Sequence, residues 1–544
     1  MRYDAWLWQS TCGVRTNILM RIVIGCLQVV SGLLMVWLSK LFIDVTIRQG
    51  SDRDIIWMIV LLIVVVLSGI ILRQCYFYMM TSAKARLKNQ MQLKLYRLLF
   101  RRNLYQGEKL HSGDITSRLE KDVDAISDTA TTLMPLLIVT GIQVVGAFFL
   151  LHSMDRRLAW ILLIATPFVI VFGKLITHSL RNMTLEIRQQ ESEIQMQMQE
   201  GMENNEVLLT MGNIDWVTDR FGFMQQKLLH KVLKRTRFTM ATRLLLASCF
   251  GLGYLLAFVW GGLQLRSGAI TFGVMTSFLQ LVSLIQNPIF QILNIIPQLI
   301  HTLASIDRLQ ELERLEAERE TKDKEFLLLG EVGAKLENVS YKYESEEEEI
   351  ISNFSFDFKP GSRTALIGRT GVGKTTIFRL LLALIKPLSG HVHIYSSTEE
   401  KEASADSRVN FVYVPQGNSL LSGSIRYNLQ LAKPDATEDE IKEVLHVAMA
   451  DFVLDLPEGI DTVIGERGTG LSGGQAQRIA IARGLLRPGG ILLLDEISSS
   501  LDEKTECELY QRLLKYAAGK TMIFITHRQS VAAFCDKLKL ADLR

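Results

Sequence analysis

The chain has 544 residues, of which 48% are hydrophobic and 22% charged, and its 60 basic residues nearly balance its 57 acidic residues. This composition excludes a disordered chain and a collagen-like chain, and a net charge of +3 gives no indication of a nucleic-acid partner. A chain of this length is expected to fold as at least two domains.

The first 300 residues contain long runs without charged side chains. The runs cover residues 22–39, 55–72, 129–154, 158–173, 244–265 and 267–300. A helix needs roughly 20 residues to cross a hydrocarbon core about 30 Å thick. Because six such runs in one half of a chain could not all be buried in a water-soluble core, we predict six membrane-spanning helices.

Basic residues are concentrated in two long loops between these runs. Residues 73–121 contain eleven Lys and Arg and residues 174–243 contain ten, whereas each short loop contains at most three. The positive-inside rule places both long loops and both termini in the cytoplasm. We expect a multi-pass membrane protein of the bacterial inner membrane, with an organelle of a eukaryote as the alternative. Few Gly and Pro interrupt the long loops, which predicts helical extensions that turn near Leu110–Asp114 and near Met211–Asp215.

A P-loop pattern follows in the second half of the chain. Residues 368–375 read G-x4-G-K-T between an apolar β-type segment and an apolar helical segment. Glycines let backbone N–H groups approach phosphate oxygens, and the helix N-terminus adds positive potential. In this pattern Lys374 contacts the β- and γ-phosphates and Thr375 binds Mg²⁺. The predicted nucleotide-binding residues of the loop are Gly368, Arg369, Thr370, Gly371, Val372, Gly373, Lys374, Thr375 and Thr376.

A second apolar strand, at residues 491–494, ends in Asp495 and Glu496. Acidic residues at the carboxyl end of a buried strand lie beside the nucleotide in open α/β sheets. Asp495 fits a magnesium-binding role, and Glu496 fits a general base that aligns water on the γ-phosphate.

Residues 471–475 (LSGGQ) form another glycine-rich turn before a helix. Two interpretations stay open from the residues alone. The turn is either a second anion site at a helix N-terminus or an ordinary helix start with Ser472 as its N-cap.

Together these motifs resemble the ABC transporter family. The LSGGQ sequence is the family signature, and it lies between the P-loop and the Asp495–Glu496 pair, as the family requires. Residues 465–468 (GERG) and 420–429 (LLSGSIRYNL) resemble the exporter version, and residues 113–122 resemble the family's first cytoplasmic loop. The likeness covers nearly the whole chain, which is identified as an exporter-type half-transporter.

The resemblance implies a multi-domain fold. It combines an all-α domain of six transmembrane helices (residues 1–310), a charged linker (311–330) and an α/β P-loop ATPase domain of the ABC type (331–544).

The resemblance also implies roles for residues outside the P-loop. Tyr343 in VSYKY occupies the adenine-stacking position, and Gln416 in YVPQ matches the Q-loop, a catalytic and magnesium-site element. His527 in ITHR matches the catalytic switch histidine, and Asp502 matches the D-loop. ATP and Mg²⁺ are the implied cofactors.

The sequence departs from the family pattern at three places. The usual ATSALD reads ISSSLD at residues 497–502, and residues 394–408 replace the usual turn and helix start, which predicts an altered β-subdomain. The printed sequence ends 17 residues after His527, where the family continues. The resemblance therefore predicts the catalytic motifs, but it does not predict the dimer contacts near the C-terminus.

A two-subunit mechanism follows from the resemblance. The signature residues of one subunit face the γ-phosphate of ATP on the P-loop of the other, so that two ATP molecules lie at a two-fold interface. Because Glu496, His527 and LSGGQ are intact, a homodimer is favoured, and a heterodimer with a degenerate partner is the alternative. The signature residues with this role are Ser472, Gly473, Gly474 and Gln475.

Polar residues recur at helical spacing on the sixth apolar run. They are Thr276, Gln280, Ser283, Asn287, Gln291, Asn294 and Gln298. A polar face in a membrane helix usually lines the bundle interior or a water-filled cavity, and here it carries no charge, so the cargo need not be strongly charged. The alternative is hydrogen bonding between helices without cargo contact.

We therefore expect an ATPase that exports a small-molecule, lipid or peptide cargo from the cytoplasm or inner leaflet by alternating access. A flippase for a lipid or a lipid-linked glycan is an alternative within the same class. An ATP-gated channel or regulatory membrane NTPase is an alternative from another class, against which the intact Glu496 and His527 argue, because a gate needs little steady turnover.

Overall fold

The computed structural model describes residues 3–47, 50–100, 112–315, 326–343, 348–369, 371–465, 470–498, 501–527 and 535–539. The chain forms two compact units, one of Met1–Leu98 and Ser112–Arg314 and the other containing Leu315–Arg544. In the described residues the first unit is helical and the second combines sheets with helices, which confirms the predicted fold class.

The first unit contains ten α-helices among the described residues. They are α1 (Tyr3–Ser10), α2 (Arg15–Leu41), α3 (Asp52–Leu99), α4 (Ser112–Ser117), α5 (Val123–Asp128), α6 (Met134–Met154), α7 (Arg156–Glu203), α8 (Asn205–Met211), α9 (Ile214–Arg266) and α10 (Phe272–Arg314). A π-helical turn at Phe42–Thr46 extends α2, and two more, at Arg118–Asp122 and Thr129–Leu133, join α4, α5 and α6 into one continuous rod.

Four helical stretches of the described chain are long and apolar enough to cross a membrane. They are Cys12–Thr46, Asp52–Leu99, Gly113–Met154 and Ile214–Arg266. The predicted spans at 158–173 and 267–300 lie on α7 and α10, and most side chains at 161–178 and 287–297 are outside the described part. The first portion of α10, Phe272–Gln286, is a shorter apolar helix. The count of six spans stays a prediction.

The long helical extensions are present where the basic loops predict them. Helices α3, α7 and α9 contain 48, 48 and 53 residues, much more than a bilayer requires. The second predicted turn is confirmed, since α8 ends at Met211, Gly212 adopts a left-handed φ of 70°, and α9 begins at Ile214. The first predicted turn, near Leu110–Asp114, lies mostly outside the described residues.

Aspartates fix two helix starts in this unit. Asp155 caps α7 by accepting from the N–H groups of Arg157 (2.8 Å) and Leu158 (3.0 Å). Asp44, in the turn that extends α2, accepts from the N–H of Gly273 (2.9 Å) at the start of α10. A carboxylate at a helix N-terminus satisfies free N–H groups and opposes the positive end of the helix dipole.

A charged network joins the α4 end of the rod to the end of α10. Arg118 is buried and donates to Asp114 (2.8 Å), to Glu311 (2.7 Å) and to the carbonyl of Arg308 (2.7 Å). Arg308 in turn pairs with Asp114 (2.6 Å) and Asp122 (3.3 Å). The guanidinium of Arg118 therefore has carboxylate partners on both elements, as a buried charge requires.

The N-terminal helix also contacts the end of α10. The hydroxyl of Tyr3 donates to Asp307 (2.9 Å), and the indole N–H of the buried Trp6 donates to Glu313 (2.9 Å). Glu313 also pairs with Lys94 of α3 at 3.1 Å. Helix α10 continues to Arg314, four residues into the segment predicted as a linker.

The second unit contains two main sheets. Its strands are β1 (Gly333–Tyr341), β2 (Ile351–Phe358), β3 (Arg363–Ile367), β4 (Ser389–Tyr395), β5 (Glu400–Glu402), β6 (Phe411–Val414), β7 (Gly423–Ser424), β8 (Val463–Ile464), β9 (Ile491–Asp495), β10 (Thr521–Ile525) and β11 (Asp536–Lys539). The antiparallel sheet has the order β2-β1-β4-β5, the parallel sheet has the order β11-β3-β10-β9-β6, and β7 pairs with β8.

Helices cover the parallel sheet. They are α11 (Lys374–Leu381), α12 (Ile425–Gln430), α13 (Glu438–Val447), α14 (Gly473–Leu485) and α15 (Glu503–Tyr516). Side chains alternate along a strand, so Leu492 and Leu494 pack in the core with α13, α14 and α15, whereas Ile491 and Leu493 pack in the core with α11 and the antiparallel sheet. Strands β9 and β10 are buried along their whole length.

The segment that departs from the family pattern adds structure to the antiparallel sheet. Residues 400–402 form β5, which pairs with β4 in the register His393↔Glu402 and Tyr395↔Glu400. A short 3₁₀ helix, Ala405–Asn410, follows, and its Arg408 donates to the carbonyls of Leu382 and Ala383 (2.8 Å each) just after α11. The altered segment thus caps the helix that follows the P-loop.

The Arg118 network gives a stability prediction. Arg118→Ala should lower the free energy of unfolding by about 2 to 3 kcal/mol, because it removes charge-assisted hydrogen bonds from a buried site. Lys94→Ala is the control, since Lys94 is 64% exposed in its pair with Glu313 and an exposed pair contributes less than about 1 kcal/mol. Thermal unfolding of the purified full-length protein in detergent measures both. Equal shifts in melting temperature would contradict the assignment.

Candidate nucleotide-binding site

The P-loop connects β3 to α11 at the carboxyl edge of the parallel sheet. Gly371 and Gly373 have φ angles of 85° and 100°, a left-handed conformation that glycine adopts without a steric penalty. The N–H of Val372 donates to the carbonyl of Arg369 at 3.4 Å, which closes the loop. A Cβ atom on Gly371 would meet no heavy atom within 4 Å, so this side of the loop is open. Gly368 is described, and Thr370 lies outside the described residues.

Lys374 is held across this loop. Its ammonium donates to the carbonyls of Gly368 (2.7 Å) and Arg369 (3.1 Å) and lies 3.3 Å from Nε2 of His527. Burial lowers the pKa of Lys374, and the charges of Glu496 and Asp495 partly oppose that effect. A buried cation that faces loop carbonyls is well suited to an anionic ligand.

Asp495 ends the buried strand β9, as predicted. Its side chain is 3% exposed, and its Oδ2 accepts from the hydroxyl of Thr375 at 3.4 Å. Burial, and secondarily the negative charge of Glu496, raises the pKa of Asp495 to about 6. Thr375 and Asp495 provide the oxygen donors that Mg²⁺ prefers. In the described chain, this site included, no group of three or more His, Cys, Asp or Glu is arranged to hold a metal ion.

The predicted catalytic residues converge at the same edge. Glu496 has a left-handed φ of 48° and donates its N–H to the carbonyl of Ile525 at 3.0 Å. Its Oε1 lies 3.3 Å from Nε2 of His527, and its Oε2 accepts from the amide of Gln416 at 2.5 Å. Three strand ends therefore bring Gln416, Glu496 and His527 into one group, which matches the expected grouping. Gln416 contacts Glu496, the neighbour of Asp495.

Tyr343 follows β1 and lies against α11. Its hydroxyl is 3.2 Å from the hydroxyl of Thr376 and accepts from Arg379 at 2.8 Å. The ring of Tyr341 packs at right angles to it, with centroids 5.0 Å apart. The structure thus places the predicted base-stacking ring beside the P-loop helix.

The LSGGQ turn begins α14 with a capping box. The hydroxyl of Ser472 accepts from the N–H of Gln475 (3.3 Å), and the side chain of Gln475 accepts from the N–H of Ser472 (2.9 Å). Ser472 is therefore the N-cap of α14, as one of the two interpretations predicts. The N–H groups of Gly473 and Gly474 are the other donors of this first turn, and their anion-binding role stays a prediction.

Asp502 also caps a helix. It accepts from the N–H of Thr505 at 3.0 Å at the start of α15. Hydrogen bonds from the side chain and the backbone of Thr505 lower the pKa of Asp502. Residues 499–500 of the neighbouring ISSSLD segment and residues 466–468 of the GERG motif lie outside the described part.

Sequence reasoning missed two arginines that hold the site elements in place. Arg483 of α14 donates to the backbone and hydroxyl oxygens of Ser419 (3.0 and 2.6 Å), three residues after Gln416, and burial lowers its pKa. Arg379 of α11 contacts Tyr343. Arg379 lies three residues after Thr376, a spacing that places both on one helix face, but its aromatic partner is 36 residues earlier in the chain.

Comparisons with known proteins agree with this architecture. The family model described as the ABC transporter transmembrane region matches residues 18–289, and the model described as ABC transporter matches residues 351–499. YgaD of Bacillus subtilis, named as a multidrug export ATP-binding/permease protein, is 28% identical over 86% of this chain and 80% of its own length. The ATP-dependent lipid A-core flippase of Syntrophus aciditrophicus is 27% identical over 92% of this chain and 82% of its own.

A solved structure has the same fold. A bacterial Atm1-family ABC exporter with ATP bound superimposes with a TM-score of 0.84 at 21% identity, covering 97% of this chain and 94% of that chain.

The first family model matches most of the helical unit, and the second matches residues 351–499 of the P-loop unit. The chain belongs to the ABC transporter family, as an exporter-type half-transporter whose transmembrane region and ATPase domain share one polypeptide.

Proposed function

We propose that this exporter works as one half of a two-subunit, Mg²⁺-dependent ATPase, with Glu496 as its general base. The contact of Glu496 with both His527 and Gln416, at the strand edge that bears the P-loop, is the observation that carries the proposal. A carboxylate in this place can accept a proton from water that attacks the γ-phosphate.

The phosphate chain would lie on the P-loop and the first turn of α11. Lys374 would exchange its contacts with the carbonyls of Gly368 and Arg369 for the β- and γ-phosphates. The N–H groups of the loop from Gly371 onward, together with the N-terminus of α11, favour negative charge. The ring of Tyr343 would stack on the adenine base.

Mg²⁺ fits the Thr375 and Asp495 pair. The raised pKa of Asp495 marks a carboxylate whose charge is poorly compensated by the protein alone, and a divalent cation would supply that compensation. Mg²⁺ is usually held by one or two protein oxygens together with substrate phosphates. When bound, it neutralises charge that develops on the phosphate oxygens. Gln416 would complete the site from the end of β6.

The second subunit would contribute its LSGGQ turn. The N–H groups of Gly473 and Gly474 and the hydroxyl hydrogen of Ser472 are donors that suit a γ-phosphate oxygen. Loss of the γ-phosphate would remove the charge that both subunits bind, so hydrolysis would weaken the interface. The intact catalytic residues favour a homodimer.

The cargo is proposed to be weakly charged. On the polar face of α10, Gln280 is exposed, Thr276 and Ser283 donate to carbonyls of their own helix, and Gln298 donates to Asp128 at 2.6 Å. The part of the polar face near Gln298 therefore makes contacts between helices. The part near Gln280 is the one proposed to contact cargo. The side chains of Asn287, Gln291 and Asn294 lie outside the described part.

A lipid flippase is the second candidate. Its support is the similarity to proteins named as ATP-dependent lipid A-core flippases, in Syntrophus aciditrophicus and Photobacterium profundum. The uncharged polar face of α10 is compatible with a lipid headgroup but does not select it over a drug or a peptide.

Glu496→Gln tests the general base. The variant keeps the hydrogen-bonding shape but cannot accept a proton, so kcat should fall by at least about 100-fold while ATP binding is retained and an ATP-bound dimer accumulates. Steady-state ATPase and size-exclusion chromatography measure both effects. Glu443→Gln, the same change on the exposed face of α13, should leave turnover intact. Near-normal turnover in the Glu496 variant would refute the role.

The pKa of Asp495 predicts a pH-dependent stability. Because this pKa lies near 6 instead of the usual 3.8, the folded state holds the proton more tightly than the unfolded chain. The stability that the protonated Asp495 side chain contributes is complete at pH values below the usual pKa of 3.8. It is lost as the pH rises through about 6. Without nucleotide or Mg²⁺, Asp495→Asn should therefore raise the melting temperature at pH 7.5, and the gain should shrink at pH 5.

Addition of Mg-ATP at pH 7.5 should make the melting temperature of the wild type higher than that of Asp495→Asn, because only the wild type retains the charged carboxylate that binds Mg²⁺. Thermal unfolding monitored by intrinsic fluorescence, with EDTA or Mg-ATP, measures both states. A difference between variant and wild type that does not change with pH would show that burial of the Asp495 charge is not its cause.

Reconstitution into proteoliposomes tests transport. Drugs, lipids and peptides should be compared for stimulation of ATPase and for net ATP-dependent movement. A pump moves its cargo against a gradient with continuous hydrolysis, whereas a gate shows flux only down a gradient. Flux without sustained hydrolysis would refute the exporter proposal.

A further inference from the structure

The base-stacking ring of Tyr343 is supported from two sides. On one side the ring of Tyr341 meets it at an interplanar angle of 89°, with centroids 5.0 Å apart. On the other side its hydroxyl reaches α11, where it meets Thr376 and Arg379. An edge-on neighbour restricts the tilt of an aromatic ring, but it does not fix the distance between the ring and the P-loop helix.

Arg379 donates to this hydroxyl. A guanidinium only donates, so Tyr343 is the acceptor in the 2.8 Å bond from Nη1 of Arg379. The hydroxyls of Tyr343 and Thr376 lie 3.2 Å apart, and either of them can be the donor. The hydroxyl of Tyr343 thus links Arg379 to Thr376, the residue next to Thr375.

We propose that Arg379 is a positioning residue for the nucleotide base, because it fixes the ring of Tyr343 at a set distance from the phosphate-binding turn. This inference rests on the proposed stacking role of Tyr343. The base and the phosphates belong to one ligand, so a ring that moves relative to the P-loop cannot stack on the base while the phosphates remain on the loop.

The setting of Arg379 agrees with this assignment. The guanidinium is half-buried on α11, and among the groups described around Tyr343 it is the charged partner of the hydroxyl.

The test compares ATP with inorganic tripolyphosphate on the full-length protein. Arg379→Ala should raise the KM for ATP by about 3- to 10-fold, the size expected for the loss of one hydrogen bond of ordinary net strength, with kcat changed by less than about 2-fold. Tripolyphosphate contains the phosphate chain but no base. If Arg379 acts through the base, the constant for inhibition of the ATPase by tripolyphosphate should be the same in Arg379→Ala and in the wild type.

Further variants separate positioning from damage to the P-loop helix. Tyr343→Phe removes only the hydroxyl and should raise the KM to a similar extent, and Arg379→Ala in the Tyr343→Phe background should add no further increase. Arg379→Lys, which keeps one donor, should restore part of the affinity. Lys442→Ala, which removes one positive charge from the exposed face of α13, is the control.

The outcomes are distinguishable from failure of the proposed function. An equal rise in the tripolyphosphate inhibition constant would overturn the inference, since it would show that Arg379 supports the phosphate site instead. A raised KM in Tyr343→Ala together with a normal KM in Arg379→Ala would also overturn it, while the stacking role stands. A normal KM in Tyr343→Ala would overturn the stacking role and the inference together.

Discussion

The parallel register of β3, β10, β9 and β6 is the constraint on which the catalytic arrangement depends. Leu366, Ile525 and Asp495 lie at one level of the sheet, and Val414 pairs with Leu494 one residue earlier. Parallel strands end at the same edge, so the residues that follow each strand meet there. A one-residue slip of β9 would point Asp495 to the other face of the sheet.

The sequence allowed this meeting point to be predicted because each motif is local. The P-loop glycines, the apolar strand before Asp495 and the cap at Ser472 depend on neighbours within a few residues, where turn and capping chemistry is transferable. Residues 120 positions apart, such as Thr375 and Asp495, could be paired only through the rule for strand ends. The roles of Tyr343 and His527 came from family resemblance, since one aromatic or one histidine has no local signature.

Other features could not be predicted because long-range packing determines them. No residue close to Glu496 in the sequence predicts its left-handed backbone conformation. In that conformation its N–H donates to the carbonyl of Ile525, on a neighbouring strand. The role of Arg408 depends on the turn after α11, some 25 residues earlier. In the membrane unit, composition predicted apolar helices, but the π-helical turn at Arg118–Asp122 and its network with α10 depend on which charged faces meet after folding.

Several polar groups of the site have protein partners. Lys374 donates to loop carbonyls, Glu496 accepts from Gln416, and Ser472 and Gln475 satisfy each other. Of these groups the ammonium of Lys374 is buried, and a buried charge without a partner is costly. A phosphate chain on the P-loop would replace the carbonyl contacts of Lys374 with contacts to phosphate oxygens, so the net free energy at this residue would be a difference between similar terms.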